Sequence, residues 1–369
     1  DLVRQMGNLK DPEINSLLQK TWGMVSETTA DKAKMIEDYK SLILDKQGPK
    51  PDVSLGRAVF AKTCQQCHIL FDAGGRIGPE LTGSNRSNLD YLLSNIIDPS
   101  AVMAKEYQPT LVQTEGRLVS GLLKEENTDS ITIQTTNGLE TIPLSEIEDR
   151  KLSEKSMMPE DQLRPFSAHE IRSLVAYLGA DRQYPILATA DNVSDFYNGK
   201  DLSQWSGDAG LWTVQAGEIV GKSEGLEHNA FLVSNFAVQD FQLSLDVLLV
   251  GNEGNSGIQF RSQKTKEGVM GYQADVGPGW WGKLYEEEGR GLLWDKSSEQ
   301  LVKNGEWNRY EIRAVGSKIQ TAINGQPCVE LDDPKGAKRG IIALQLHSGG
   351  ATEVRFRNVV LKVLPEPQK

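Results

Sequence analysis

At 369 residues, with 51 acidic and 40 basic side chains and a net charge of −11, the chain is long enough for two or more domains. It is too acidic, and too free of Lys/Arg-rich runs, to grip nucleic acid or an anionic membrane. No stretch approaches the roughly 18 apolar residues of a membrane span, and three cysteines (Cys64, Cys67, Cys328) make no disulfide framework.

The chain opens mid-pattern at Asp1 without a leader-like segment, which predicts a processed product or a piece of a longer polypeptide. Residues 1–48 are expected to be helical. "DPEINSLLQKTWGMV" sets Ile14, Leu17, Leu18, Trp22 and Val25 at helical spacing. "TADKAKMIEDYKSLIL" does the same with Ala33, Ile36, Tyr39, Leu42 and Ile43, before Gly48, Pro49 and Pro51 break the pattern.

Residues 49–182 read as a helical domain with an insert. "SLGRAVFAKT" is a short helix. "SNLDYLLSNI" is a second, with Ser87 and Asp90 at capping-box spacing. "SAHEIRSLVAYLG" is a third, with a capping box from Ser167 and Glu170, an apolar face of Ile171, Leu174, Val175 and Leu178, and a stop at Gly179. Between the last two, "TLVQTEGRLVSGLL" and "SITIQTTNGLETIPL" alternate around Asn137-Gly138, so about 108–148 form a small β insert. Met103 reads as core.

The first of these helices runs into "CQQCH", from Cys64 to His68. Zinc wants about four ligands, and one Cys/His group does not supply them. A redox pair would sit at a βα junction, which this helical setting lacks. A c-type haem suits the spacing: two thiols add to two vinyl groups, and the next imidazole then lies under the iron. Zinc and a disulfide remain the alternatives.

Gly56 and Phe60 precede the motif by one to two turns, Tyr177 lies in the last helix, and "GPELTG" follows the motif. In these features the region resembles class I cytochromes c. The resemblance implies that the first helix crosses the last through Gly56 and an aromatic. It also implies that the Pro79 carbonyl accepts the His68 N–H and orients the ring. A Met beside Pro in the loop before the last helix is the distal ligand in such proteins. That implies Met158 here, with Met157 and His169 as alternatives and loop packing as the competing role of either methionine. Ligation by His68 and Met158 would raise the reduction potential, and closing both axial positions would favour electron transfer over oxygen chemistry. More narrowly, "GRAVFAKTCQQCHILFDAGGRIGPELTG", "YLLSNIIDPSAVMAKEY", "GRLVSGLL" and "SMMPEDQL…EIRSLVAYL" resemble the planctomycete-type haem-binding domain family over about 1–180. That domain is commonly fused to sugar-related modules, which leaves room for one upstream of Asp1. Haem attachment implies a periplasmic or other extracytoplasmic location and a redox partner protein.

Residues 183–192 are expected to link this region to 193–369, where strand-length runs are punctuated by Gly, Asn and Asp. The pattern predicts an antiparallel β-sandwich or jelly roll. Cys328, in the alternating "INGQPCVEL", reads as a buried thiol. Alternation places Gln259 and Arg261 opposite Ile258 and Phe260. It puts Gln273 and Asp275 on one face, and Gln345 and His347 opposite Ile342, Leu344 and Leu346. "GPGWWGKLYEE" adds Trp280, Trp281 and Tyr285, flat rings suited to stacking on sugars. A groove built from these residues competes with an ordinary solvated outer face.

"FYNGKDLSQWSG", "NSGIQFR", "GYQADVG", "GEWNRYEIRAVGSKIQTAINGQP" and "ALQLHSGG…VRFRNVVL" resemble the 3-keto-disaccharide hydrolase domain family over about 193–364. The resemblance implies a lectin-like (concanavalin-like) jelly roll and a 3-keto sugar ligand. Family members often carry an acid where Gln273 stands. No carboxylate pair of the usual glycosidase kind stands out, Asp275 with Glu286 or Glu287 being unmotivated. A 3-keto sugar lowers the requirement, because the ketone acidifies the C2 proton. One base, His347 or Asp275 (His228 more weakly), with Arg261 polarising the ketone, would then suffice.

The sequence therefore predicts a multidomain α + β chain. A cytochrome c-like electron-transfer domain, carrying one haem on Cys64, Cys67, His68 and Met158, precedes a carbohydrate-directed jelly roll. One alternative is a 3-keto-glycoside hydrolase or lyase with the haem secondary. Another is a non-catalytic module that docks the cytochrome on a glycan or a protein.

Overall fold

The computed structural model of the chain describes residues 2–7 and 9–365. Residues 1, 8 and 366–369, which the expected 1–48 and 193–369 regions included, lie outside the described residues. The chain divides into two units, residues 1–183 and 184–369. Among the described residues no helix is long and apolar enough to cross a membrane.

In the first unit, α1 (Leu2–Gly7) leads to α2 (Pro12–Thr21), which Asp11 caps by accepting the Glu13 and Ile14 N–H groups. The helical spacing of "DPEINSLLQKTWGMV" does not carry to Val25. The helix ends at Thr21, and Gly23–Val25 (β1) pairs antiparallel with Val102–Ala104. Gly23 sits at φ 146°, and a Cβ there would collide with the Met103 carbonyl oxygen. Leu18 is buried while Leu17 and Trp22 are exposed.

Next come α3 (Ala30–Leu44), α4 (Val53–Thr63), the short pair β2 (Ile69–Leu70) and β3 (Ala73–Gly74), and α5 (Leu89–Ile97). Asn88 caps α5, accepting the Tyr91 N–H at 2.9 Å, in place of the expected Ser87. β4 (Val102–Ala104) follows and buries Met103. The insert is a sheet of β5 (Thr110–Thr114), β6 (Arg117–Glu126), β7 (Ser130–Thr135), β8 (Gly138–Pro143) and β9 (Ile147–Leu152), in the order β8-β7-β6-β5-β9. Its own small core is Val112, Val119, Ile131, Ile133 and Ile142. It runs past residue 148 because β9 is an edge strand, exposed along nearly all its length, that shows no alternation to read. α6 (Ala168–Leu178) carries the expected capping box and ends at Gly179. Val59, Phe60, Leu93, Ile171, Leu174 and Tyr177 centre the helical core.

The second unit begins with β10 (Ile186–Leu187), inside the stretch expected as a linker, which pairs parallel with Phe236 and Ala237. Then follow β11 (Trp205–Ser206), β12 (Trp212–Gln215), β13 (Glu218–Ser223), β14 (Ala230–Val238), β15 (Phe241–Leu249), β16 (Ser256–Lys264) and β17 (Val269–Val276). The chain continues through β18 (Leu284–Glu287), β19 (Gly291–Trp294), β20 (Asn308–Val315), β21 (Lys318–Ile323), β22 (Gln326–Asp332), β23 (Gly340–Leu346) and β24 (Thr352–Val363). They form two sheets. One runs β10-β14-β23-β16-β17-β18-β19 with β11 beside β14, and the other runs β12-β13-β24-β15-β20-β21-β22. Apolar residues from both layers, such as Phe241 and Phe260 with ring centroids 6.1 Å apart, fill the space between. This is the expected sandwich.

Candidate functional site

Two places bring chemistry-bearing residues together, one in each unit. In the first, α4 ends at Thr63 and delivers Cys64, Cys67 and His68 on the turn that follows. His68 Nδ1 lies 2.8 Å from the Pro79 carbonyl oxygen. A carbonyl only accepts, so Nδ1 carries the proton and Nε2 is left with its lone pair. A Cβ at Gly78 would collide with the His68 ring, so the glycine lets the main chain lie flat against it. Cys64 and Cys67 are free thiols, half-buried, and burial pushes both up. Burial lowers His68, and its bond to Pro79 opposes this. Gly56 lets α4 meet α6: a Cβ there would collide with the Ser173 carbonyl oxygen, and Phe60 meets Tyr177 edge-on at 5.6 Å. Met157 and Met158 are half-buried in the loop before α6, and His169 is in the first turn of α6. That loop is held through Ser156 N–H to Ser100 Oγ (3.1 Å) and Met158 N–H to Ser156 Oγ (3.1 Å). Lys32, bonded to both Asp98 and Glu160, ties it to α3. Among the described residues no three His, Cys, Asp or Glu side chains converge as a cation site.

In the second unit the register stacks polar residues on one face of the larger sheet. Gln345 pairs with Gly257, and Gly257 with Asp275; one step along, Gln259 pairs with Gln273, and Gln273 with Tyr285. Gln259, Gln273, Asp275 and Gln345 are all buried, so this is not a solvated outer face. The reason is curvature. Asn229, just before β14, donates to Glu287 on β18 at 3.0 Å. β14 and β18 are four places apart in the sheet, about 19 Å if it were flat. The sheet therefore curls until these two strands meet at one end, and the polar row lies beneath. Phe231 of β14 likewise comes close to Gly268 and Glu288. An open cleft of about 610 Å³ lies where the two strands meet, lined by His228, Asn229, Phe231, Glu287, Glu288 and Ser348 among others.

Asp275 is 2 % exposed. Its Oδ1 accepts from Gln273 Nε2 at 2.8 Å, and its Oδ2 has no partner. Burial raises it to about 7; the Gln273 bond and Lys283 oppose the rise, and the Glu287 charge adds to it. Glu287 is itself raised by burial, against its bond to Asn229 and the charge of His347. The Gln345 amide, fully enclosed, has neither Nε2 nor Oε1 bonded. His347 Nδ1 faces the Ser348 carbonyl oxygen at 2.6 Å, which leaves Nε2 as the outward nitrogen.

Several expected site residues are elsewhere or otherwise engaged. Arg261 does not share the face of Gln259. It sits at φ 48° in a β-bulge, and its guanidinium bonds Asp240 (3.0 Å) and the carbonyl oxygens of Gln239, Gly316 and Ala337. A cation so fully committed cannot also polarise a substrate ketone. Trp281 is buried with its N–H on Asn252, so it offers no open ring. Trp280 is exposed, packed edge-on against half-buried Tyr285 with Lys283 over its ring. His228 is exposed on the cleft wall, and Glu286 is engaged by Arg290 at 2.6 Å. Cys328 is half-buried, donating weakly to the Gln326 carbonyl at 3.5 Å. Sequence patterning missed Asn229, whose only local signal is a polar residue before a strand, and Ser262.

Residues 192–362 match the family described as the 3-keto-alpha-glucoside-1,2-lyase-like domain. The match does not extend to the cysteine motif. A candidate glycosyl hydrolase from Parabacteroides distasonis ATCC 8503 is 21 % identical, with a TM-score of 0.36, over 45 % of this chain and 96 % of that one. A second from the same organism is 19 % identical, with a TM-score of 0.37, over 48 % and 98 %. The carbohydrate-binding module CBM66 from Bacillus subtilis is 18 % identical, with a TM-score of 0.34, over 43 % and 95 %. No curated protein matches the chain.

Proposed function

We propose that the second unit cleaves a 3-keto glycoside by elimination, with Asp275 as the base. The observation that carries this is a single carboxylate, enclosed, one oxygen bonded and the other free, raised by burial to about 7. A base poised there takes a weakly acidic carbon-bound proton near neutral pH. The domain match at 192–362 supports a 3-keto glycoside as the substrate class.

Asp275 Oδ2 takes the proton from C2 of the sugar. The electron pair forms the C1–C2 double bond as the C1–O bond breaks, and His347 gives a proton to the departing oxygen. The Gln345 amide N–H, which no protein group uses, donates to the C3 ketone oxygen, the place once expected for Arg261. Water then adds across the enone: His347 takes a proton from it and Asp275 returns its own to C2, so the net change is hydrolysis. Trp280, Tyr285, Gln273 and Gln259 are then wall and support. The test is turnover of a 3-keto disaccharide by wild type and Asp275→Asn. Undiminished turnover in the variant sinks the assignment.

A second reading concerns the first unit, and the His68–Pro79 bond at 2.8 Å favours it. The residues fit a covalently held haem: two free thiols, an imidazole turned so that Nε2 is open, and a glycine flush against the ring. Cys64 and Cys67 would attach it, and His68 and Met158 would ligate its iron. When bound, the group supplies a one-electron relay. Forming a 3-keto sugar removes two electrons from a hydroxyl, so such a relay on one chain with the lyase-like domain, serving a redox partner protein in an extracytoplasmic compartment, is chemically coherent. A pyridine haemochrome spectrum of protein made with haem-attachment machinery should show a c-type signature, and its absence ends this reading.

A further inference from the structure

Four buried side chains on the polar face form one chain of hydrogen bonds. Ser262 Oγ donates to Gln259 Oε1 at 2.7 Å, Gln259 Nε2 to Gln273 Oε1 at 2.8 Å, and Gln273 Nε2 to Asp275 Oδ1 at 2.8 Å. Each of the four is 3 % exposed or less. A glutamine amide offers donors at one end and an acceptor at the other, and its direction is fixed by what it meets. Here the end of the chain decides. An ionised carboxylate only accepts, so Gln273 must present its NH₂ to Asp275. Its oxygen then faces Gln259, which must present NH₂ in turn. The Gln259 oxygen faces the Ser262 hydroxyl, which donates to it at 2.7 Å, nearer than the Phe260 and Tyr272 carbonyl oxygens at 3.0 and 3.4 Å.

The backbone is shaped around this chain. A Cβ at Gly257 would collide with the Gln273 side chain, and one at Gly271 (φ 146°) with Ser262 Oγ. The bulge that turns Arg261 away also brings Ser262 into line. Gln259 pairs with Ala343 and Ser262 with Ile341, two residues along, so Ser262 takes the place on the face that strict alternation gives to Arg261.

We propose that Ser262, Gln259 and Gln273 are a directed relay that positions Asp275, holding its Oδ1 and leaving Oδ2 as the oxygen that takes the proton. The proposal deepens, and rests on, the reading of Asp275 as the base. It moves Gln259 and Gln273 from substrate contact to positioning. It also explains how an amide at 273 serves the site: it donates to the ionised form of Asp275, which an acid at that place would repel. The charged groups facing Asp275 are Glu287 on β18 and Lys283 just before it. From the opposite sheet the Tyr310 hydroxyl reaches the Asp275 carbonyl oxygen at 3.4 Å. None of these is altered by relay substitutions.

The test is the titration of the Asp275 carboxyl carbon by ¹³C NMR in the full chain without substrate, assigned with Asp275→Asn. Gln273→Met removes a hydrogen bond to the ionised form and should move the midpoint up by about one pH unit. Gln259→Met and Ser262→Ala do not touch Asp275, yet should move it the same way by a smaller step, with the folded state verified by thermal unfolding. Midpoints unchanged in folded Gln259→Met and Ser262→Ala overturn the relay. Ser262→Ala, the smallest change, serves where a glutamine variant fails to fold. Because the readout needs no turnover, loss of the base assignment through an active Asp275→Asn is a separate result from loss of the relay.

Discussion

Replacing Asp275 by Asn should stabilise the second unit at alkaline pH relative to acidic pH. In the folded chain burial lifts the Asp275 carboxyl from 3.8 to about 7. The folded state therefore binds this proton more tightly than the unfolded state. Asp275 costs nothing below about pH 4, and its penalty grows as pH rises through 7. About three units at about 1.36 kcal/mol each put the full penalty near 4 kcal/mol. Asn keeps an oxygen for Gln273 and cannot ionise; its buried NH₂ carries a cost that does not depend on pH. The informative quantity is the change in melting temperature on substitution at pH 8.5 minus that at pH 4. With about 2–4 °C per kcal/mol for a unit of this size, the difference should be about 8–16 °C in favour of Asn. Equal shifts at the two pH values would show that Asp275 is not held protonated by its surroundings, and the case for it as a neutral-pH base would fall.

Three further outcomes follow from the geometry. Arg261→Met leaves Asp240 buried without its cation and should cost about 3–5 kcal/mol, while turnover per folded molecule at low temperature stays normal; normal melting with lost turnover would return Arg261 to the catalytic group. Asn229→Ala cuts the bond to Glu287 and should speed amide hydrogen exchange in 285–288 and 346–349 by about fivefold, the equivalent of about 1 kcal/mol; unchanged exchange would mean the two strands are held otherwise. Gly56→Val drives a side chain into the Ser173 carbonyl and should destabilise the first unit by about 1–3 kcal/mol or more, read as a lower melting transition; an unchanged melt would refute the close crossing of α4 and α6.

What was legible in the sequence was local. The Ser167/Glu170 capping box, the stop at Gly179 and the polar parity of Gln273, Asp275 and Gln345 follow from spacing alone. What was not legible was set by distant partners. The helical spacing up to Val25 lost to a strand pairing with residues 102–104. The bulge at Arg261 exchanged one residue for another on the working face, and nothing in "QFRSQ" announces an extra residue in a strand. Ser262 was invisible for the same reason. Trp281 looked like its neighbour Trp280, and only the fold decides which ring is buried. The enclosure of the polar face comes from residues 58 positions apart meeting across a curled sheet.

The most direct test of the elimination chemistry is isotopic. Turnover of a 3-keto disaccharide in heavy water should place deuterium at C2 of the product at a rate above enzyme-free exchange, and Asp275→Asn should abolish the excess. Products released by wild type with C2 still unlabelled, together with no primary isotope effect on a substrate carrying deuterium at C2, would mean that the bond breaks without loss of the C2 proton, and the account of Asp275 would be wrong.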